Sequence, residues 1–261
     1  MGNDQPTSRV RNSREPIFNV PGIILVMIGL LGAVHAARVY LLSDDDDTLA
    51  TLAMAVIPAR YTGAMDQLPG GWWSALYSPF THMLVHADAT HLGLNSAWLL
   101  VFGTFVARRL GLLRTLIFTI LTGLAGALTF TLMHWGALLP MDGASGAVSG
   151  LMGGAIRLMH AVMRVGALRE MAVAAQFVPL GSVPEALRDR QVLTIIGVTL
   201  ALNLALGASG NLLTPGSGGI AWEAHLGGFL AGLLGFGLID PGPRPLPRLP
   251  DEGPDERSPI A

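Results

Sequence analysis

Gly143-Ala-Ser-Gly-Ala-Val-Ser-Gly-Leu-Met-Gly-Gly154 is the stretch whose reading decides the fold. It follows an irregular segment, His134–Ala144, that contains Pro140 and Gly143, and it opens an apolar run. Gly146, Gly150 and Gly154 recur at helical spacing, and Ser145, Ser149 and Gly153 form a neighbouring row of small residues. Such a surface lets a second backbone come very close. Ser145 then reads in two ways. It is either the N-cap of a tightly packed helix or a buried nucleophile placed where a partner helix arrives.

Working outward, the composition is that of a membrane protein. The chain has 261 residues, 51% of them hydrophobic and 13% charged, with a mean hydropathy of +0.52. A soluble domain carries about 25% charge. With no cysteine, disulfides, thiolate metal sites and a cysteine nucleophile are excluded. The net charge of −2 says little, because in a membrane protein the placement of charge matters more than its sum; no nucleic-acid partner is expected.

Six apolar runs are long enough to be considered spans: Phe18–Leu42, then 91–107, 112–134, 145–163, 191–207 and 222–240. The first has a basic start and small residues near Ala36, so a signal peptide competes with a retained helix; its length favours the helix. The expected layout is a polar disordered tail over 1–16, a membrane unit over 17–240 and a Pro-rich acidic tail over 241–261. Residues 43–90 form a long connection with a four-aspartate run and the pair Trp72-Trp73, suited to the headgroup level. The mixed segment 164–190 is expected to hold a short interfacial helix. All basic residues are arginine, and with a cytoplasmic N-terminus all but Arg38 and Arg60 fall on the inner side. Both termini are then cytoplasmic, with a bacterial inner membrane as the expected location.

Ionisable groups inside spans are candidates for function. His91 and Asn95 share a helix face at i, i+4, and both can donate hydrogen bonds to a developing oxyanion. An interhelical polar clamp, or a metal site from His82, His86, His91 and Asp88, fits the same residues. If a helix starts at Ser145 and Arg157 marks the cytoplasmic interface, the twelve residues between them put Ser145 about 18 Å above that interface. That sets its hydroxyl within a hydrocarbon core of about 30 Å, so the loop before it must line protein or a wet cavity. In the last run, His225, Gly228 and Gly232 occupy one face. This face is the counterpart of the Gly146/Gly150 surface, and close packing of the two would carry His225 towards Ser145; a histidine bonded to a backbone carbonyl is the plainer alternative. Gly207-Ala-Ser-Gly210 repeats the tetrapeptide but reads as a helix end and turn.

Together, His86/His91/Asn95, Gly143-Ala144-Ser145-Gly146 and Ala224-His225 with Gly228 and Gly232 resemble the rhomboid family of intramembrane serine proteases. The resemblance implies an all-α polytopic membrane protein with six transmembrane helices. It implies Ser145 as nucleophile, His225 as general base, and His91, Asn95 and the Ser145 N–H as oxyanion hole. No metal or organic cofactor is implied, and the partners are the lipid bilayer and transmembrane protein substrates. Asp142 and Glu223, near the ends of the spans, are the carboxylates that could in principle orient His225. Three departures stand out: Ser149 where the family often has an aromatic residue, Ala107-Arg108-Arg109 where it has Glu-x-Arg, and Trp73-Ser74 where a Trp-Arg pair is common. The rival readings are an inactive rhomboid-like protein that binds transmembrane helices, and a small transporter. The transporter predicts internal repeats, which the chain lacks.

Overall fold

Many leucines and valines of the described residues face outward, while small residues and threonines line much of the interior. In the computed structural model, Leu25, Val26, Leu30, Leu112, Leu116, Leu121, Leu128, Leu202, Leu234 and Leu238 are exposed, whereas Thr115, Thr119, Thr122, Ala127 and Ala147 are buried. Water would not tolerate that surface, and hydrocarbon does; small residues inside let helices close on one another without a hydrophobic driving force. The structure describes residues 20–167, 171–213 and 221–245. What was expected of 1–16 and of 246–261 lies outside the described residues.

The described residues are helical, apart from connections and one isolated antiparallel bridge between Val56 and Met141. In order, the helices are α1 (Gly22–Leu41), α2 (Asp44–Met54), α3 (Gly71–Thr81), α4 (Ala89–Trp98), α5 (Thr104–Met133), α6 (Ser145–Arg164), α7 (Met171–Ala174), α8 (Val183–Ala186), α9 (Arg190–Leu213) and α10 (Trp222–Ile239). By length and composition, Gly22–Leu41, Ala89–Met133 and Trp222–Ile239 can cross a membrane, and Arg190–Ala205 is a shorter apolar helix. The chain is a multi-pass membrane protein.

Ala89–Met133 is 45 residues long, about 68 Å if straight, more than twice a hydrocarbon core of about 30 Å. It is not straight. Gly111 has φ 73° and ψ −178°, a conformation only glycine takes cheaply. His91 lies against Gly143 beside the start of α6. Arg109 then binds Asp240 at the far end of α10, and Gly126 returns to Ala224 at the start of α10. The segment therefore runs the height of the bundle and back. Where α4 joins α5, Leu99–Gly103 is wound as a wider π turn, and the missing side chain of Gly103 admits Ile24 from α1.

α6 is the central post, with nearly every residue from Gly146 to Val162 buried. Its neighbours are α5 and α10. Arg157, read from the sequence as an interface marker, is instead buried and donates to the carbonyls of Leu233 and Gly181. At the same end Arg109 grips Asp240 with two bonds of 2.6 and 2.8 Å. Its third nitrogen donates to the carbonyls of Ala175, Gln176 and Val178.

The structure adds detail to several expectations and overturns the one for Gly207–Gly210. The connection 43–90 is largely helical: Ser43 Oγ accepts the Asp46 N–H, and the aspartate run forms the first turn of α2, where the helix dipole favours negative charge. Gly207-Ala-Ser-Gly210 lies within α9, whose backbone stays helical to Leu213, not in a turn after it. The mixed segment 164–190 holds two one-turn helices, α7 and α8, the latter closed by a Ser182/Glu185 capping box. The two arginines that break the charge rule are internal braces. Arg38 pairs with Asp47 and donates to the His86 carbonyl, and Arg60 donates to the carbonyls of Pro69 and Leu52.

Candidate active site

The site is built where α6 begins. Ser145 is not the N-cap: that place belongs to Ala144, and no side chain caps the helix. Ser145 is the first helical residue, so its hydroxyl is not spent on its own backbone as a cap. A helix start leaves its first N–H groups without intrahelical partners. The segment before α4 takes two of the donors here. Gly143 N–H donates to the His82 carbonyl at 2.8 Å, and Ala144 N–H donates to His86 Nε2 at 3.3 Å. To accept there, the His86 imidazole must be neutral. Burial, followed by the neighbouring charge of His91, pushes it down to about 4.

Gly143 has φ 109°, and it must be glycine for a second reason. A Cβ there would fall 2.6 Å from His91 Cε1, so the imidazole lies directly over the backbone that leads into Ser145. Asp88 sets that ring by capping α4, its Oδ1 accepting His91 N–H at 2.8 Å. This backbone bond, chiefly, holds the Asp88 carboxyl below its ordinary value. Asn95, one turn on, is buried and donates from Nδ2 to the His91 carbonyl at 2.9 Å. Its second N–H remains for another acceptor. His82 points elsewhere, with Nδ1 on the Ser78 carbonyl. Among the described residues no group of histidines and carboxylates converges as a metal-ligand set.

α10 meets α6 backbone to backbone. A Cβ on Gly228 would collide with the Gly146 carbonyl, and one on Gly232 with the Gly150 carbonyl. Gly153 faces the Phe229 carbonyl, while Gly154 faces the rings of Phe236 and Phe118. A third helix joins this contact. A Cβ on Gly126 of α5 would sit 2.7 Å from the Ala224 oxygen and 3.4 Å from Gly146 Cα. Three main chains thus converge beside Ser145 and His225. Close Gly126, with Gly123 and Thr122 before it, is a small-residue signal in α5 that the sequence reading passed over.

His225 and His91 are within electrostatic reach of one another across this junction. Among the described residues no hydrogen bond joins Ser145 Oγ to His225. The histidine's bond is to a residue that the sequence did not mark: Nδ1 lies 2.8 Å from Asn203 Oδ1 of α9. Glu223 does not orient His225, because it is 3.0 Å from His134 Nε2.

Residues 71–240 match the family model of the rhomboid domain. The chain belongs to the rhomboid family. Members of that family are generally intramembrane serine peptidases, alongside inactive relatives. No curated protein matches the chain.

In this rhomboid two of the three departures noted in the sequence sit among polar contacts. Arg109 lacks a glutamate two residues before it, and Asp240 supplies the carboxylate from the end of α10. Ser74 stands where an arginine is common, and its hydroxyl bonds Tyr77 at 2.7 Å. Arg60 reaches the same Pro69 carbonyl that Ser74 approaches. Trp72 and Trp73 stack 3.8 Å apart on the exposed face of α3. Ser149 is buried and carries no ring.

Proposed function

We propose that this rhomboid is an intramembrane serine endopeptidase acting through a Ser145–His225 dyad. Ser145 attacks the scissile carbonyl while His225 takes its proton and later returns it to the leaving amine. His91, the free N–H of Asn95 and the Ser145 backbone N–H receive the oxyanion. The observation that carries this reading is the backbone contact of Gly146 with Ala224 and Gly228, each next to or one turn from a member of the dyad. That contact is what small residues at these positions achieve. A dyad bond that is open without substrate and closes in the complex is normal behaviour for such sites.

The membrane unit on this reading is 17–240, with six spans and both termini in the cytoplasm of a bacterial inner membrane. The substrate is a membrane protein whose helix unwinds locally near the outer face, since helical hydrogen bonds otherwise hide the scissile carbonyl. Gly146, Gly150, Gly228 and Gly232 act in this scheme by bringing the helices together, not by chemistry.

The test is cleavage of a reporter carrying one transmembrane helix by the purified chain in liposomes, beside Ser145→Ala and His225→Ala. Wild type is expected to cut and each variant to lose at least about a thousandfold in rate. A wild type that cuts nothing would leave the inactive-relative reading standing, and an active Ser145→Ala would remove the nucleophile.

A further inference from the structure

Asn203 sits on α9, and the proposed base sits on α10. Between the two helices is a cavity of about 140 Å³, lined by Leu200, Asn203, Leu204, Trp222, His225 and Phe229 among others. Apart from Asn203 and His225, the walls named are apolar or indole. An amide and an imidazole facing each other in such a place must satisfy each other. They do so at 2.8 Å, through His225 Nδ1 and Asn203 Oδ1.

The direction of this bond is fixed by chemistry. Asn203 Nδ2 is committed to the Thr199 carbonyl of its own helix at 2.9 Å, which turns Oδ1 towards α10. An amide oxygen only accepts, so His225 Nδ1 carries the hydrogen. A neutral imidazole then has its lone pair on Nε2. That is the nitrogen a general base needs. Glu223, two residues before the histidine, is engaged by His134, leaving the amide as the group that sets the ring.

We propose that Asn203 is a positioning residue for His225: through its carbonyl it holds the imidazole in the Nδ1–H tautomer and turns Nε2 towards Ser145. Asn203 does not touch the reacting atoms. The inference rests on the dyad proposed above, and it adds a third member supplied by the neighbouring helix. A base oriented by a third group is the general logic of activated nucleophiles.

The test compares the full chain with Asn203→Leu and Asn203→Asp in liposomes, with thermal unfolding of each. Leucine removes the acceptor at similar size. It is expected to lower kcat by roughly 10- to 100-fold, by analogy with the loss when the hydrogen-bond partner of a metal-bound histidine is removed, with KM within about twofold. Aspartate keeps an acceptor and adds a negative charge. It is expected to recover most of the rate, and to move the acid limb of the kcat/KM profile to higher pH by roughly one unit, because the anion favours the imidazolium. Among the described residues the other titratable group that acts on this ring is His91, which is the same in all three proteins. A loss confined to KM, or an aspartate variant no faster than leucine with an unmoved limb, overturns the proposal.

A second readout does not need activity. Nitrogen-15 shifts of the His225 ring are expected to show the Nδ1–H form in wild type and a shift towards Nε2–H in Asn203→Leu. An unchanged tautomer refutes the role of Asn203 whether or not the chain cuts. A changed tautomer in a chain that cuts nothing supports the role and removes the protease reading instead.

Discussion

Gly126→Ala is the perturbation that asks most of the close-packing argument, because Gly126 touches neither member of the proposed dyad. An alanine Cβ there would stand 2.7 Å from the Ala224 carbonyl oxygen, whereas ordinary contact starts at 3.4 Å. The start of α10 must therefore retreat by about 0.7 Å from α5, and the same carbonyl also faces Gly146. Misplacing reacting groups by about 1 Å costs about a hundredfold. If the logarithm of the loss is linear in displacement, 0.7 Å costs roughly 25-fold in rate. Stability changes little by comparison. Overpacking costs about 1–3 kcal/mol, and replacing glycine by alanine inside a helix returns up to about 1 kcal/mol. A net loss of roughly 0–3 kcal/mol leaves most of a fold's reserve of about 5–15 kcal/mol in place. The assay is the initial rate of reporter cleavage with thermal unfolding on the same preparation. Gly235→Ala on α10 is the control, since nothing lies within 4 Å of its Cβ, and it should cut at the wild-type rate. Full activity in Gly126→Ala, or an equal loss in Gly235→Ala, would refute the claim that glycine contacts set the dyad geometry. Gly228 and Gly232 are poorer test sites, because an added Cβ there meets carbonyl oxygens so closely that assembly itself should fail.

The far end of the bundle supplies two further tests. Arg109 and Asp240 are almost fully desolvated, so Arg109→Met or Asp240→Leu alone leaves a lone buried charge and is expected to destabilise by about 3–5 kcal/mol. The double variant should cost clearly less than the sum of the two, measured by equilibrium unfolding; additivity within about 0.5 kcal/mol would mean that the pair is not coupled. In the surface capping box, the Ser182 N–H and then Arg164 hold the Glu185 carboxyl below its ordinary value of 4.5. A depressed acid contributes above that value, and its contribution is lost as pH falls through the lower folded value. A carbon-13 titration should place Glu185 below 4.5, and Arg164→Ala should move it only part of the way back, because the backbone bond is the larger cause. A wild-type midpoint at 4.5 would contradict the cap.

Local spacing carried the parts of this architecture that were legible in the chain. Gly146/Gly150 and Gly228/Gly232 are each one turn apart, so each small face could be read from its own helix, and each had one obvious counterpart. His91 and Asn95 were legible for the same reason. The start of α2 was legible too: Ser43 followed by aspartates in the first turn is a helix-start pattern, passed over because a four-carboxylate run reads as solvated loop. Arg109 could be seen to lack a local carboxylate, but its partner lies 131 residues away, and nothing in the sequence around Asp240 marks it as reaching back.

Asn203 was illegible for a different physical reason. α9 has a row of small residues at Gly197, Ala201 and Ala205, but Asn203 lies off that row, and with no strong asymmetry of polarity the rotation of the helix about its own axis is not fixed by its periodicity. Which residues it shows to α10 is settled only when the two helices pack. Yet an asparagine in an apolar helix is costly without a partner, and Asn203 can satisfy only one side of its amide from Thr199 of its own helix. The unsatisfied carbonyl is therefore a constraint on rotation: turning α9 so that Oδ1 faces lipid would leave it unbonded, while turning it towards α10 finds His225. One polar residue thereby selects among helix rotations that leucine and valine leave nearly equivalent. The bond that settles the packing of α9 is then the same bond that settles which nitrogen of His225 is free.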